Sequence, residues 1–379
     1  MLSVFGSDLS DLEVEAVARV VSSQWTGLGA EVASFEAEFA RARGLASFVM
    51  LDSGSNALFM AVTLLDLPPG SEIIVPSFTW VSCAQAVLMA GHRPVFCDVD
   101  LKTMNVTAEL AARKITSKTG AIMVVHYAGL PVEMDEILSI GLPVIEDAAH
   151  AVDSMYRGQA CGSIGSVGIY SFDSVKNLAV GEGGGLTTSL SSEVSDRARQ
   201  LRYCGIGKSG FEAASSGRQT ESSRWWEYNI SEPFIKMLPT NIAGALGRVQ
   251  LSRLDELQRR REEIWNYYQS ELSGVGDLLL PVDALNGDRH SFFTYALRLS
   301  DRDRFARYMM ENGVYTTLRY HPLHLNKVYG QTDVSLPSSE LLNETALSLP
   351  LHPRMTDQDV DLVVSKTVEF FDKVNPVRV

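Results

Sequence analysis

Between residues 47 and 188 the chain alternates short apolar runs with stretches of helical length, and this rhythm restricts the fold more than any other feature. The runs fall at 47–51, 72–75, 94–97, 121–126, 142–145, 167–170 and 185–188. Seven such runs, most with helix-length spacers, predict an α/β domain built on a mostly parallel seven-stranded sheet. They are strongly apolar without clean alternation, as strands covered on both faces should be. The close pair at 167–170 and 185–188 is a candidate for antiparallel pairing.

Helical patterns flank this region. Ser10 and Glu13 have capping-box spacing, and Leu12, Ala16, Val17, Val20 and Val21 then recur on one predicted face, ended by Trp25-Thr26-Gly27-Leu28-Gly29. Residues 207–224 form a Ser/Gly-rich stretch expected to be a mobile loop. A long helical pattern covers 241–272, followed by a strand-like 292–297, a helix from Asp301, a strand-like 314–320 and a helix opened by Thr356. We therefore expect a large domain over 1–250 and a smaller C-terminal α/β domain over 251–379.

The charge balance narrows the possible partners. A net charge of -13 over 379 residues would be repelled by a phosphate backbone, which argues against a nucleic-acid binder. The densest basic cluster, Arg259-Arg260-Arg261, is followed by Glu262 and Glu263 and reads as a solvated helix face. Cys83, Cys97, Cys161 and Cys204 are scattered, without a CxxC pair or metal-ligand spacing, and are expected to be inert thiols in a reducing cytosol. No segment approaches the ~20 apolar residues needed to span a bilayer, so a cytoplasmic location and no membrane partner are expected.

Ligands in open α/β sheets bind beyond the carboxyl ends of the strands, and four of the runs end in polar residues of particular types. After Leu51 comes Asp52-Ser53-Gly54-Ser55-Asn56-Ala57, which reads either as an ordinary N-cap or as a helix start whose free N–H groups cradle a phosphate. After Val75 comes Pro76-Ser77-Phe78-Thr79-Trp80, where an aromatic can fill the core or stack on a flat ring. Ile145 is followed by Glu146-Asp147-Ala148-Ala149-His150. A carboxylate there caps a helix or holds a cation, such as a protonated pyridine nitrogen. Tyr170 leads into Ser171-Phe172-Asp173-Ser174-Val175-Lys176-Asn177 and then Gly181-Glu182-Gly183-Gly184-Gly185. A lysine so placed is a surface charge or a desolvated amine nucleophile. The glycine spacing fits neither a Walker loop nor a dinucleotide fingerprint. Taken together, a phosphate cradle, a stacking aromatic, an acid for a ring nitrogen and a Schiff-base lysine are the parts that pyridoxal 5'-phosphate requires.

The order of these motifs resembles the DegT/StrS-type sugar aminotransferases, a branch of the fold-type I pyridoxal-phosphate enzymes. The resemblance runs from about Gln24 to the C-terminal helix. It is carried by Ser53-Gly54-Ser55-Asn56-Ala57-Leu58, Pro76-Ser77-Phe78-Thr79-Trp80, Ile145-Glu146-Asp147-Ala148-Ala149-His150-Ala151 and Ser171-Phe172-Asp173-Ser174-Val175-Lys176-Asn177. Ala245-Leu246-Gly247-Arg248-Val249-Gln250-Leu251 and Tyr320-His321-Pro322-Leu323-His324 extend it. It implies that Lys176 is the Schiff-base lysine and proton carrier, that Asp147 pairs with the pyridine nitrogen, and that Trp80 stacks on the ring. His150 would lie near the ring's 3-hydroxyl, and Gly54, Ser55, Asn56 and Ser171 would hold the phosphate. Lys236 would reach the phosphate of a partner subunit, making a homodimer the active unit, although 233–238 departs from the family's usual pattern there. The implied reaction moves an amino group from a donor, usually L-glutamate, to a keto-sugar carried on a nucleotide. His150 and Lys236 favour the 4-keto over the 3-keto position, so a 4-keto-6-deoxyhexose is the expected substrate, with a 3-keto-sugar or a keto-inositol as the alternative. Within the same family a pyridoxamine-phosphate sugar dehydratase would carry His where Lys176 stands. A non-catalytic ligand-binding regulator would lack the lysine or the acid.

Overall fold

The computed structural model describes residues 1–207, 226, 228–285 and 287–374. In chain order its first strands are β1 (Val49–Leu51), β2 (Glu72–Pro76), β3 (Arg93–Cys97), β4 (Thr119–Val125) and β5 (Val144–Asp147). A small hairpin of β6 (Met155–Tyr156) and β7 (Gln159–Ala160) follows, then β8 (Val167–Ser171) and β9 (Gly184–Thr188). All seven apolar runs become neighbours in one sheet of order β1-β9-β8-β5-β4-β2-β3. The pairs among β2, β3, β4, β5 and β8 are parallel, whereas β9 runs antiparallel to both β8 and β1. The segment between β8 and β9 forms no helix, so it supplies no crossover of the kind a parallel return requires.

Alternation is present in these strands, but both of its phases are apolar. Ile73, Val75, Met123, Val125, Ile145 and Ile169 pack on one side, with the helix Gly54–Leu64. Ile74, Ile122, Val124, Val144 and Tyr170 pack on the other, with Phe35 and Phe39 of the helix Ala30–Arg43. Strand β5 departs from this pattern at its end. Successive side chains point to opposite faces, so Glu146 enters the Phe35 side and Asp147 the side shared by Ile145 and Val125. Glu146 is fully buried and accepts hydrogen bonds from His126 Nε2 (2.9 Å), the Gly162 amide (2.8 Å), the Ile164 amide (2.6 Å) and the Gly165 amide. It thereby ties the end of β4 to the turn that leads into β8.

Several sequence readings need correction. The first helix is Asp11–Ser22 and has the expected capping box, but its buried face holds Glu13, Ala16 and Val20, while Leu12 and Val21 are about half exposed. Glu13 is drawn inward by Gln250 (2.7 Å) and Arg253 (3.0 Å). Burial pushes its carboxyl up, but hydrogen bonds from Ser10, Gln250 and Arg253 outweigh that and bring it down to about 2. The helical pattern at 241–272 is two helices, Asn241–Ser252 and Leu254–Glu271, broken at Arg253. The strand expected at 292–297 is β10 (Tyr295–Arg298), starting late because Phe292 takes a φ of 46° and interrupts the extended run. It pairs antiparallel with β11 (Ala346–Leu349), which sequence reading did not single out. Among the described residues, 314–320 make only single bridges, Val314 to Leu2 and Thr317 to Ser348, and form no strand. The helices expected after Asp301 and Thr356 are Arg302–Glu311 and Asp357–Glu369. Most of the Ser/Gly-rich stretch at 207–224 lies outside the described residues. Residues from Ile264 to Phe371 build a separate apolar cluster around Trp265, Tyr268, Tyr295 and Phe305. Among the described residues, no helix is long and apolar enough to cross a membrane, and no group of three or more metal-ligating side chains gathers.

Two substitutions test this framework. A Cβ added at Gly168, on β8, would lie 1.7 Å from the Gly162 carbonyl oxygen, a backbone clash that no rotamer relieves. Gly168→Ala is expected to lose at least about 4 kcal/mol of stability, whereas Gly27→Ala, with nothing within 4 Å of its added carbon, should leave the urea midpoint unchanged. Glu146→Gln places an amide NH2 against N–H donors and should cost about 3 kcal/mol or more. A midpoint equal to wild type in either Gly168→Ala or Glu146→Gln would contradict the packing described.

Candidate active site

The carboxyl ends of β5 and β8 and the helix start after β1 converge on a cavity of about 370 Å³. Ser53 caps the helix Gly54–Leu64, its Oγ accepting from the Asn56 amide at 3.1 Å. A side chain at Gly54 would strike Ser171, with Cβ 2.8 Å from Cβ, so glycine lets the helix start rest directly on the end of β8. The amides of Gly54 and Ser55 lie in the first turn, where no carbonyl within the helix can reach them, and both residues line the cavity. Ser55 Oγ shares a 2.6 Å hydrogen bond with Ser82 Oγ.

Of the residues expected from sequence, Gly54, Ser55, Trp80, Asp147, His150, Ser171 and Lys176 all line this one cavity. Asn56 does not line it: its amide goes to the Ser53 cap and its side chain donates to Asp52 Oδ1 at 2.7 Å. Lys236 is exposed and bridges Tyr203 through its backbone, away from the cavity of its own chain.

Asp147 forms the floor. Its Oδ1 accepts from the Ala149 amide at 2.9 Å, and its Oδ2 accepts from the Cys83 thiol at 3.2 Å. Burial, reinforced by the charge of Asp147, holds the Cys83 thiol well above its ordinary range, so it remains a donor. Cys83 is thus inert as a nucleophile, as expected, but it serves to orient the acid.

Lys176 sits on the turn between β8 and β9. Asn177, buried beside it, donates to Gln258 Oε1 (2.8 Å) and to the Ser291 carbonyl (2.6 Å), which anchors the turn. The lysine Nζ lies 4.7 Å from the centroid of the Phe293 ring. Burial, with the charge of Arg319 added to it, brings its ammonium down to about 8, although Asp147, Asp173 and Cys83 pull the other way. His150 stacks on the same Phe293 ring, centroids 4.0 Å apart and planes 13° from parallel. Burial, together with the charges of Lys176 and Arg319, holds His150 well below its ordinary range, so its imidazole is neutral. Its Nε2 is 3.0 Å from the Tyr320 hydroxyl, and its Nδ1 is buried without a partner among the described residues. Trp80 is about half exposed and faces the Tyr320 ring at 5.4 Å.

Sequence reading missed Arg319, Phe293, Thr79 and Cys83 as parts of the site and gave no role to Tyr320. The one available signal was Arg319 itself, a cation inside the apolar run at 314–320 and directly before a motif that had been noted.

Comparison with known proteins accords with this geometry. The model of the DegT/DnrJ/EryC1/StrS aminotransferase family matches residues 7–368. The dTDP-4-dehydro-2,3,6-trideoxy-D-glucose 4-aminotransferase of Saccharopolyspora spinosa is 40% identical over 375 residues, spanning 97% of this chain and 96% of that protein. Spore coat polysaccharide biosynthesis protein SpsC of Bacillus subtilis is 34% identical over 367 residues, spanning 93% and 92%. The crystal structure of the aminotransferase TlmJ from Streptoalloteichus hindustanus superimposes with a TM-score of 0.91 at 37% identity, over 99% of this chain and 100% of that one. Spr1654 of Streptococcus pneumoniae, solved in its PMP form, gives 0.91 at 26% identity, over 98% and 99%. The fold is that of the fold-type I aminotransferases, and the chain belongs to the DegT/DnrJ/EryC1/StrS aminotransferase family.

Proposed function

We propose that this protein is a pyridoxal-phosphate-dependent aminotransferase that places an amino group on a nucleotide-linked 4-keto-6-deoxyhexose, with L-glutamate as donor. The observation that carries the reading is a lysine amine brought down to about 8 in the same cavity as a buried acid and an open helix N-terminus. These features fit the three ends of the cofactor. First-turn amides and the Ser55 and Ser171 hydroxyls suit a phosphate, a fixed carboxylate suits a protonated ring nitrogen, and a desolvated amine suits an aldehyde. When bound, pyridoxal phosphate supplies an electron sink for the carbanion left as a carbon–hydrogen bond breaks.

The chain's own residues supply the remainder. Lys176, its amine brought down to about 8, would be a base close to neutrality, able to take a proton and return it. Asp147, held on both oxygens, keeps its orientation, and Trp80 is the ring available to stack. His150, neutral and hydrogen-bonded to Tyr320, has its unpartnered Nδ1 available for the cofactor's 3-hydroxyl. Asn56 would take part through its position at the helix start, and Lys236 would serve the partner subunit of a homodimer. The 4-keto assignment is supported by the name of the Saccharopolyspora spinosa relative, a 4-aminotransferase, together with His150 and Lys236. A large domain over 1–250 and a smaller one over 251–379 are proposed with it, supported by the separate apolar cluster that begins at Ile264.

In cofactor-free protein, Lys176 should react with an amine-directed reagent at a rate that rises with pH about a midpoint near 8, since only the free amine is nucleophilic. An ordinary surface lysine would titrate near 10.4. Arg319→Gln should move the midpoint up and Asp147→Asn should move it down, as peptide mapping of the labelled protein would show. In the loaded enzyme, Lys176→Ala should abolish the visible absorbance acquired with pyridoxal phosphate. Offered 3-keto and 4-keto deoxysugar nucleotides and a keto-inositol, the enzyme should aminate the 4-keto sugar with the highest kcat/KM, read as product mass. Turnover of the keto-inositol alone would refute the nucleotide-sugar assignment.

A further inference from the structure

One residue of the cavity wall comes from the far N-terminal end of the chain. Phe5 lines the cavity with Arg319, and the two touch: Arg319 Cζ lies 4.8 Å from the centroid of the Phe5 ring. Phe5 reaches this point on a strap that is fixed on both sides of it. The Leu2 amide donates to the Gly313 carbonyl at 2.7 Å, the Leu2 carbonyl accepts from Tyr315 at 3.0 Å, and the Val4 carbonyl accepts from Leu351 at 3.3 Å. Beyond Phe5, the Asp8 carbonyl accepts from Gln250 (2.9 Å) and Arg253 (3.2 Å), and its carboxylate from Arg253 (2.8 Å). Leu2 packs against the C-terminal apolar cluster, but among the described residues Phe5 joins none of the clusters. Its ring does not serve the core.

We propose that Phe5 is a positioning residue of the active site: its ring holds the Arg319 guanidinium in the cavity wall, and through that charge it acts on Lys176. This rests on the aminotransferase reading above and adds to it the device that sets the reactivity of the lysine. Arg319 needs such a holder. Among the described residues its side-chain hydrogen bond runs from Nη1 to the Tyr320 hydroxyl at 3.2 Å, a light tether for a long side chain. The other rings near its Cζ are Phe293 at 4.9 Å and Tyr320 at 5.8 Å. Phe293 is buried and Phe5 half-buried, so Phe5 is the cover on the solvent side. A ring face attracts a cation and keeps water from it, and a charge kept from water acts more strongly on its neighbours. Without that ring the guanidinium can turn toward solvent, where its charge is screened. The groups that bear on the Lys176 amine are Arg319, Asp147, Asp173, Cys83 and the neutral His150. Arg319 opposes protonation of the lysine and the two acids favour it, so releasing Arg319 makes the lysine a stronger base.

The test is the pH dependence of Lys176 labelling in folded, cofactor-free protein. Phe5→Leu, which keeps apolar bulk without a ring face, should raise the midpoint from about 8 by about one unit, so that labelling below it slows roughly tenfold. Phe5→Ala should raise it at least as far, and Phe5→Tyr, which restores the ring, should keep the wild-type midpoint. In an Arg319→Gln background, Phe5→Leu should add no further rise, because the ring works through the guanidinium. A wild-type midpoint in Phe5→Leu, an equal rise in Phe5→Tyr, or a full further rise in the Arg319→Gln background would overturn the role of Phe5. Any of these, in protein that still acquires its visible absorbance with pyridoxal phosphate, leaves the aminotransferase reading intact. Wild-type protein that acquires no such absorbance would overturn the reading and this role with it.

Discussion

The placement of the site depends on a buried carboxylate that never reaches it. Glu146 carries its charge into the sheet's Phe35 side, where three backbone amides and His126 supply its hydrogen bonds. A desolvated charge is tolerated only when its lone pairs are met this fully. Meeting them fixes the 162–165 turn against β5, and the same turn presses Gly162 onto Gly168 of β8. Because neighbouring residues on a strand face opposite ways, the side chain that locks Glu146 on one side aims Asp147 at the cavity on the other. Two adjacent acids thus divide the work: one holds the strands in place, and the other is held by them.

Charge in the cavity is arranged so that its bases are free to act. Arg319 is buried there and Lys176 half-buried, and each disfavours a further proton nearby. Burial, with the charge of Arg319 added to it, bears on Lys176 and His150, which are thereby kept available as bases. Asp147 moderates the effect on the lysine without cancelling it. Cys83, kept protonated, donates to Asp147 and adds no charge of its own.

How much of this was legible in the sequence follows from the range of the forces involved. Strand positions could be read because a doubly covered sheet leaves long apolar runs, and caps such as Ser10 and Thr356 because they act within one turn. Asp147, His150 and Lys176 stood out as polar residues directly after such runs. Glu146 was visible as an acid but not as an anchor, since its partners lie up to 20 residues away in sequence. The buried face of the first helix was misjudged for a similar reason: Glu13 looks solvent-facing until Gln250 and Arg253, more than 230 residues later, arrive to pair with it. Phe293 was invisible, and Arg319 showed only as a cation in a strand-like stretch, because their roles come from two segments crossing the end of a sheet formed by a different part of the chain.

That crossing also explains why one phenyl ring can serve three polar groups. Ser291, fully buried, accepts at its carbonyl from Asn177 and Gln258, while its hydroxyl meets the Asp153 amide and Ser154 Oγ. Two residues on, the Phe293 amide donates to the Ala128 carbonyl at 2.9 Å. The backbone at 291–293 is therefore pinned to the lysine turn, to the segment after β5 and to the segment after β4. The ring it carries is held against His150, Lys176 and Arg319 at once. The separation of the nucleophile from the guanidinium is then a property of packed backbone and not of two flexible side chains. A long lysine and a long arginine would otherwise lose much of their conformational freedom to stay in register. Fixing both over one immobile ring reduces that entropy loss when substrate arrives, which is the physical content of preorganisation here.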